Sequence, residues 1–172
     1  MNLNNYTIKS QEAIQQALNI AQSHNHQQVE TGHLLKALIG DEGNLISSLI
    51  KKTGTDDKAI ERAVDKLIAT YSKVIGGETY LSSDTNKALQ KANSLAKDFN
   101  DQYVPAELIF LALLSIGDKT SQLMKDNGLT EKSVKAAIQD LRKGNTVNSQ
   151  SADESYDALN RYAINLNDRA RQ

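Results

Sequence analysis

The sequence predicts an all-α fold, and three observations lead there. Apolar residues recur at three- and four-residue spacing through most of the chain, and few runs alternate with the two-residue period of a strand. Leu, Ile and Ala dominate, aromatics make up 5%, and one proline is present in 172 residues. The chain also repeats itself: "LIKKTGTDDKAI" (49–60) returns as "LMKDNGLTEKSV" (123–134).

The repeat organises the elements. Shifted by 75 positions, Ala13, Ile14, Ala17, Ile20 and Ala21 fall on Ala88, Leu89, Ala92, Leu95 and Ala96, Val29 falls on Val104, and Ala37, Leu38 and Ile39 fall on Ala112, Leu113 and Leu114. After a one-residue slip, Leu49, Lys51, Gly54, Lys58, Ala63 and Leu67 match Leu123, Lys125, Gly128, Lys132, Ala137 and Leu141. Apolar and turn positions are what a duplicated core retains.

Each copy reads as four helices. The first covers roughly 8–24, with Ile14, Ala17, Leu18 and Ala21 on one face and the Thr7 hydroxyl as N-cap. The second covers roughly 31–39. The third covers roughly 44–52 and stops at Gly54, which accepts the left-handed position past a helix end. The fourth begins after Thr55 or Asp56 and runs to about Tyr71. In the second copy, the fifth helix begins after Ser82 or Ser83, and the sixth opens with Pro105 in its first turn, where a missing N–H costs nothing. The seventh ends at Gly128. The eighth starts after Thr130 and ends near Lys143. Repeat one thus spans about 7–71 and repeat two about 81–143, one domain over 1–143. "GNTVNSQSADES" (144–155) reads as a flexible polar linker. Residues 156–172 regain apolar spacing at Tyr156, Leu159, Tyr162, Ile164 and Leu166, and read as the start of something longer. Two small helical units that share a core leave a seam between them, a usual place for an apolar ligand site.

Composition and motifs exclude several chemistries. Twenty Lys+Arg against 21 Asp+Glu give a net charge of -1, with no global pull toward nucleic acid or an anionic membrane. The basic residues are scattered, without interleaved aromatics for stacking single strands. No cysteine is present, so thiolate metal sites and a cysteine nucleophile are excluded and a reducing compartment fits. The polar start lacks a signal-peptide core and no window reaches membrane-span length, which gives a cytoplasmic address by elimination. No GxxxxGK[ST], GxSxG or HExxH occurs. His24, His26 and His33 are too few for zinc and read as solvated or capping. Asp56/Asp57 and Asp153/Glu154 read as carboxylates at helix starts, favoured by the positive end of the helix dipole. A stand-alone enzyme would need a convergent set of titratable groups, which is missing.

The segments "YTIKSQEAIQQALNIAQ", "VETGHLLKALI", "QYVPAELIFLALL", "LTEKSVKAAIQDLRKG" and the tail "ALNRYAINLNDRARQ" together resemble the double Clp N-terminal repeat of the Hsp100 disaggregases of ClpB type, over essentially the whole chain. The resemblance implies eight helices in two pseudo-twofold repeats on a mobile linker above a hexameric ATP-driven ring. ATP and Mg would belong to ATPase domains outside this segment, which itself implies no enzyme, cofactor or metal. It implies capture of unfolded or aggregated client protein, cooperation with the Hsp70 system in heat-shock recovery, and a monomeric segment. The alternative is an adaptor-docking domain of the protease-linked ClpA or ClpC unfoldases.

Carried over by position, Leu89, Leu95 and Leu108 line an apolar peptide groove, with Thr7, Asp101 and Glu107 at its polar edge and Tyr103 as an amphipathic wall. Residue by residue, Leu89, Leu95, Leu108 and Ile109 are better read as core. Two positions depart from the family pattern: Thr31 stands where a proline usually follows the Glu, and Lys91 stands where an apolar residue is frequent near the groove.

Overall fold

A computed structural model describes residues 2–40 and 44–153. The reading of residues 156–172 lies outside this range. The described chain folds into eight helices: α1 Ile8–Ser23, α2 Thr31–Ile39, α3 Leu45–Lys52, α4 Asp57–Ala69, α5 Ser83–Asp98, α6 Ala106–Ser115, α7 Lys119–Asp126 and α8 Glu131–Arg142. The all-α expectation holds. The one addition is a pair of two-residue parallel strands, β1 Gln28–Val29 and β2 Tyr80–Leu81, which sequence periodicity is too short to reveal.

Local chemistry explains the boundaries. Thr7 caps α1 by accepting from Ser10 N at 3.2 Å, and Ser82 caps α5 by accepting from Thr85 N at 3.1 Å. Asn44, Asp56, Asp118 and Thr130 do the same for α3, α4, α7 and α8. Gly54 and Gly128 take φ of +84° and +101° just past α3 and α7, where a side chain would be strained. One detail differs from expectation. Pro105 sits at the N-cap of α6 rather than within its first turn, and it has no side chain able to cap.

The duplication is legible in the hydrogen bonds. Val29 pairs with Leu81 in the strand ladder, and Tyr6 pairs with Val104 in the equivalent bridge. Ser10 Oγ donates to Val104 O and Thr85 Oγ1 donates to Val29 O, both at 2.8 Å. Each repeat therefore clips the start of its first helix to the entry of the other repeat's second helix.

Helices α1 on α2 and α5 on α6 make the major packing pairs, while α2 on α6, α4 on α7 and α3 on α8 join the repeats. One apolar cluster runs through both halves. Helix α6 is apolar all round beyond Glu107 in its first turn, and Ala106 through Leu114 are all buried, as a central helix requires.

The segment after α8 does not hang free. Val147 and Asp153 are both fully buried. Residues 145–153 lie along the domain as a strap, where composition alone suggested a flexible linker.

Candidate functional site

The starts of α1 and α6 lie side by side at the Tyr6–Val104 bridge. Helix starts present unsatisfied N–H groups and a positive dipole end. Pro105 leaves α6 without its own cap, and the gap is closed from far along the chain: Ala106 N donates to Asp153 Oδ2 at 3.3 Å. Thr7 donates its hydroxyl to the same oxygen at 2.6 Å.

Beside this pair lies a buried ionic cluster. Arg142, at the end of α8, donates through Nε and Nη2 to Glu107 Oε1 at 3.1 and 2.8 Å, and through Nη1 to Asp101 Oδ1 at 2.9 Å. Its Nη2 also lies 2.9 Å from Asp101 Oδ2. The guanidinium covers the Phe99 ring at 5.2 Å. Asp101 Oδ1 additionally accepts from Val147 N at 2.9 Å, which ties the strap to the cluster.

Burial, and then the negative charge of Glu107, push the Asp153 carboxyl up to about 6, against the pull of the Thr7 hydroxyl, the Ala106 amide and Lys9. Asp153 Oδ1 is buried with no hydrogen-bond partner among the described residues. The strap is thus held through one carboxyl oxygen, while the other is buried without a hydrogen-bond partner among the described residues.

Of the residues implied by resemblance, Thr7, Asp101 and Glu107 come together here from positions spread over a hundred residues. Tyr103 is half-buried between Gln102, which donates to Val147 O at 2.8 Å, and Val104 of the bridge. Leu95 is half-buried against the core. Leu89 and Leu108 are 4% and 0% exposed, so in this state they are core rather than an accessible groove lining. Both lie on inward faces of helices sandwiched by neighbours, and the single-residue reading as core describes them better.

Arg142, Val147 and Asp153 were missed. Arg142 had a signal: it continues the Val134, Ile138 stripe at four-residue spacing, and a cation on an apolar stripe implies a buried acid partner. Asp153 does favour a helix start, as expected of a carboxylate, but the helix is α6.

The equivalent seam at the start of α2 is built differently. His33 Nδ1 accepts from Glu30 N at 2.8 Å, and its Nε2 lies 2.8 Å from His26 Nδ1. His33 therefore carries its proton on Nε2. His26 is buried, not solvated; it stacks on His24 and meets the edge of Tyr71. Burial, then His26 and His24, lower His33 to about 4. A polar hollow of about 810 Å³ opens beside it, lined by Glu30, Thr31, Tyr71, Asp84, Asp118 and Thr120 among others. Thr31, the departure from the family pattern, bonds Asp118 Oδ2 and Thr120 Oγ1, both at 2.7 Å. Lys91 is exposed on α5. Among the described residues no group of three or more His, Cys, Asp or Glu is placed to hold a metal, and no helix is long and apolar enough to cross a membrane.

The family profile described as "Clp repeat (R) N-terminal domain" matches residues 5–127. The chain belongs to the Clp N-terminal repeat family. Chaperone protein ClpB of Porphyromonas gingivalis is 49% identical over 171 residues, covering 99% of this chain and 20% of the relative. ClpB of Bacteroides thetaiotaomicron is 44% identical over the same length and shares. This Clp N-terminal domain thus spans about one fifth of the curated relatives it matches. The Hsp104 N-terminal domain from Candida albicans superposes with a TM-score of 0.78 at 24% identity, covering 87% of this chain and 99% of that one. The ClpV N-domain solved in complex with a VipB peptide reaches 0.66 at 19% identity over 81% and 90% of the two chains. These two structures share the Clp N-domain fold.

Proposed function

We propose that this Clp N-terminal domain is the client-binding module of a ClpB-type disaggregase. It holds unfolded or aggregated polypeptide weakly and hands it to an ATP-driven threading ring carried by the rest of the protein. The observation that supports this is the convergence of Thr7, Asp101 and Glu107 on one strip at the starts of α1 and α6. The strip offers backbone and side-chain partners to an extended chain. Half-buried Tyr103 and Leu95 are its amphipathic and apolar surface, with Leu89 and Leu108 as the core behind them.

The selectivity is physical. Unfolded chains expose apolar side chains, and covering them is favourable by about 25 cal/mol per Å². Ordering a floppy ligand cancels much of that, so the dissociation constant falls around tens of micromolar. Weak capture suits release into a pore, and several tethered copies would restore avidity through effective concentration.

Titrating a labelled, permanently unfolded client by fluorescence anisotropy tests this. Saturable binding is expected, and Tyr103→Ala is expected to weaken it by roughly 3- to 10-fold with unchanged helical circular dichroism. Tight binding of a small folded adaptor with no response to unfolded chains would move the domain to the adaptor-docking class.

A further inference from the structure

The strap is bound as a peptide would be bound. It is held near its start at Val147, by backbone bonds and an apolar seat, at Gln150 in its middle, and at its end by the Asp153 carboxylate. Gln102 N donates to Val147 O at 2.8 Å, and Val147 N donates to Asp101 Oδ1 at 2.9 Å. The Val147 side chain is fully buried. Three residues on, Ile8 N donates to Gln150 O at 2.8 Å and Gln150 Nε2 donates to Asn4 O at 3.0 Å. Asp153 closes the set on Thr7 and Ala106 N. Half of these contacts engage the strap's backbone, which any sequence can supply. The Val147 seat, the Gln150 amide and the carboxylate position are the selective ones.

We propose that the strip at the starts of α1 and α6 is a peptide-binding site, that residues 145–153 are its resident intramolecular ligand, and that external clients bind by displacing them. This rests on the client-binding reading above and names where and against what the client competes. The site takes an extended segment with a branched aliphatic side chain followed six residues later by a carboxylate.

Three features make the strap exchangeable rather than structural. It lies outside the repeat, so neither four-helix unit needs it to complete its core. Its seat spans both repeats, through Thr7 and Ile8 on one side and Gln102 and Ala106 on the other. It also carries a defect: Asp153 Oδ1 has no hydrogen-bond partner among the described residues, although it is buried. Such a group opposes docking and keeps the closed state marginal.

Mass action sets the size of the effect. A site open for a fraction f of the time binds its client with an apparent constant raised by 1/f. A strap closed about nine-tenths of the time weakens client binding about tenfold.

The test uses the full chain with an unfolded, fluorescein-labelled client. Val147→Asp is expected to release the strap and tighten client binding about 3- to 10-fold at neutral pH, and Asp153→Ala to do so at about pH 5, where the carboxyl held by Thr7 and Ala106 N is protonated and its contribution is present. Asp153→Asn keeps an acceptor oxygen without the charge, so it holds the strap at least as firmly and gives no tightening. Hydrogen exchange at the Ile8, Gln102 and Ala106 amides reports release directly and separates it from unfolding. Unchanged client affinity in both releasing variants, with those amides newly exposed, overturns the competition while leaving the client-binding reading intact. Absence of client binding in every form overturns both. A synthetic peptide of residues 144–153 is expected to shift the same three amides in the Val147→Asp variant, and failure to do so sinks the assignment of the strip as a peptide site.

Discussion

The two seams of this molecule sit at equivalent positions and use opposite chemistry. His33, 75 positions before Leu108, and Gly32, 75 before Glu107, occupy the first turn of α2 as their counterparts occupy that of α6. His26 is the counterpart of Asp101 in the same way. The first seam is closed by its own capping box and by stacked rings: the Glu30 side chain accepts from the His33 backbone, His33 takes the Glu30 amide, His26 takes His33, and the Tyr71 hydroxyl packs so tightly on Gly32 that a β-carbon there would collide. The second is closed by ions and by a strap from outside the repeat. Duplication preserved the scaffold, including the paired 2.8 Å clips of Ser10 and Thr85, and freed the helix starts to diverge. The first half caps the start of α2 with its own Glu30 and His33. On the strap proposal, the half that borrows its cap is the one that exchanges it.

The largest break in this comparison comes from Leu108. It is fully buried where its counterpart His33 is a satisfied polar group. Leu108→Asp removes a core side chain and places a carboxylate with no built partner inside the apolar cluster. The cost is at least about 5 kcal/mol, comparable to the stability of a whole domain. Loss of the cooperative thermal transition is expected. A folded variant that merely binds clients less well would mean the α6 surface is open in solution and the seat assigned to Leu108 is wrong.

Next in size is Arg142→Ala. The substitution leaves Asp101 and Glu107, both with side chains 0% exposed, without the guanidinium that joins them. Breaking a buried pair from one side costs about 3 to 5 kcal/mol. Because Asp101 also holds Val147 N, the strap amide contacts at Gln102 and Val147 are expected to exchange faster than the His26–His33 seam does. Equal loosening of both seams would show that the ionic cluster stabilises the whole core and not the second half in particular.

The contrast also explains what the sequence could disclose. Helix boundaries were legible because each depends on a neighbour a few positions away: Thr7 with Ser10, Ser82 with Thr85, Gly54 past Lys52. The duplication was legible because apolar spacing survives divergence. Thr7, Asp101 and Glu107 were reached through family resemblance, and no local rule would have joined them. The strap was illegible in physical terms. "GNTVNSQSAD" has one branched aliphatic residue and reads as solvated, and only the missing cap at Pro105, about fifty residues earlier, gives Asp153 a reason to dock. Leu89 and Leu108 show the reverse limit: position within a family placed them on a groove, while burial depends on packing that spacing alone does not reveal.

The smallest expected effect in the unaltered chain is the most discriminating, because the seams respond to acid in opposite directions. His33 is held near 4 when folded, below its ordinary 6.5. The unfolded chain therefore binds the extra proton first, and stability falls as pH drops from about 6.5 to 4, by about 3 kcal/mol. Protonation would also require Nδ1 to release the Glu30 amide. His26, lowered by burial and by His24 and Lys73, adds to the same loss. Asp153 is raised to about 6 from 3.8, so the folded chain binds its proton first. Its carboxyl faces Glu107 on α6 and Lys9 on α1, with Arg142 and Asp101 one contact further. That contribution is complete below 3.8 and lost as pH rises through 6, again about 3 kcal/mol. The two nearly cancel between pH 6 and 4, and the melting temperature of the chain is expected to change little there on their account. Asp153→Ala removes one side of the balance and is expected to fall by roughly 10 °C over the same window. Should the variant and the parent chain run parallel, the histidine seam and the ionic seam are not opposed, and the strap carboxylate is already solvated in the folded state.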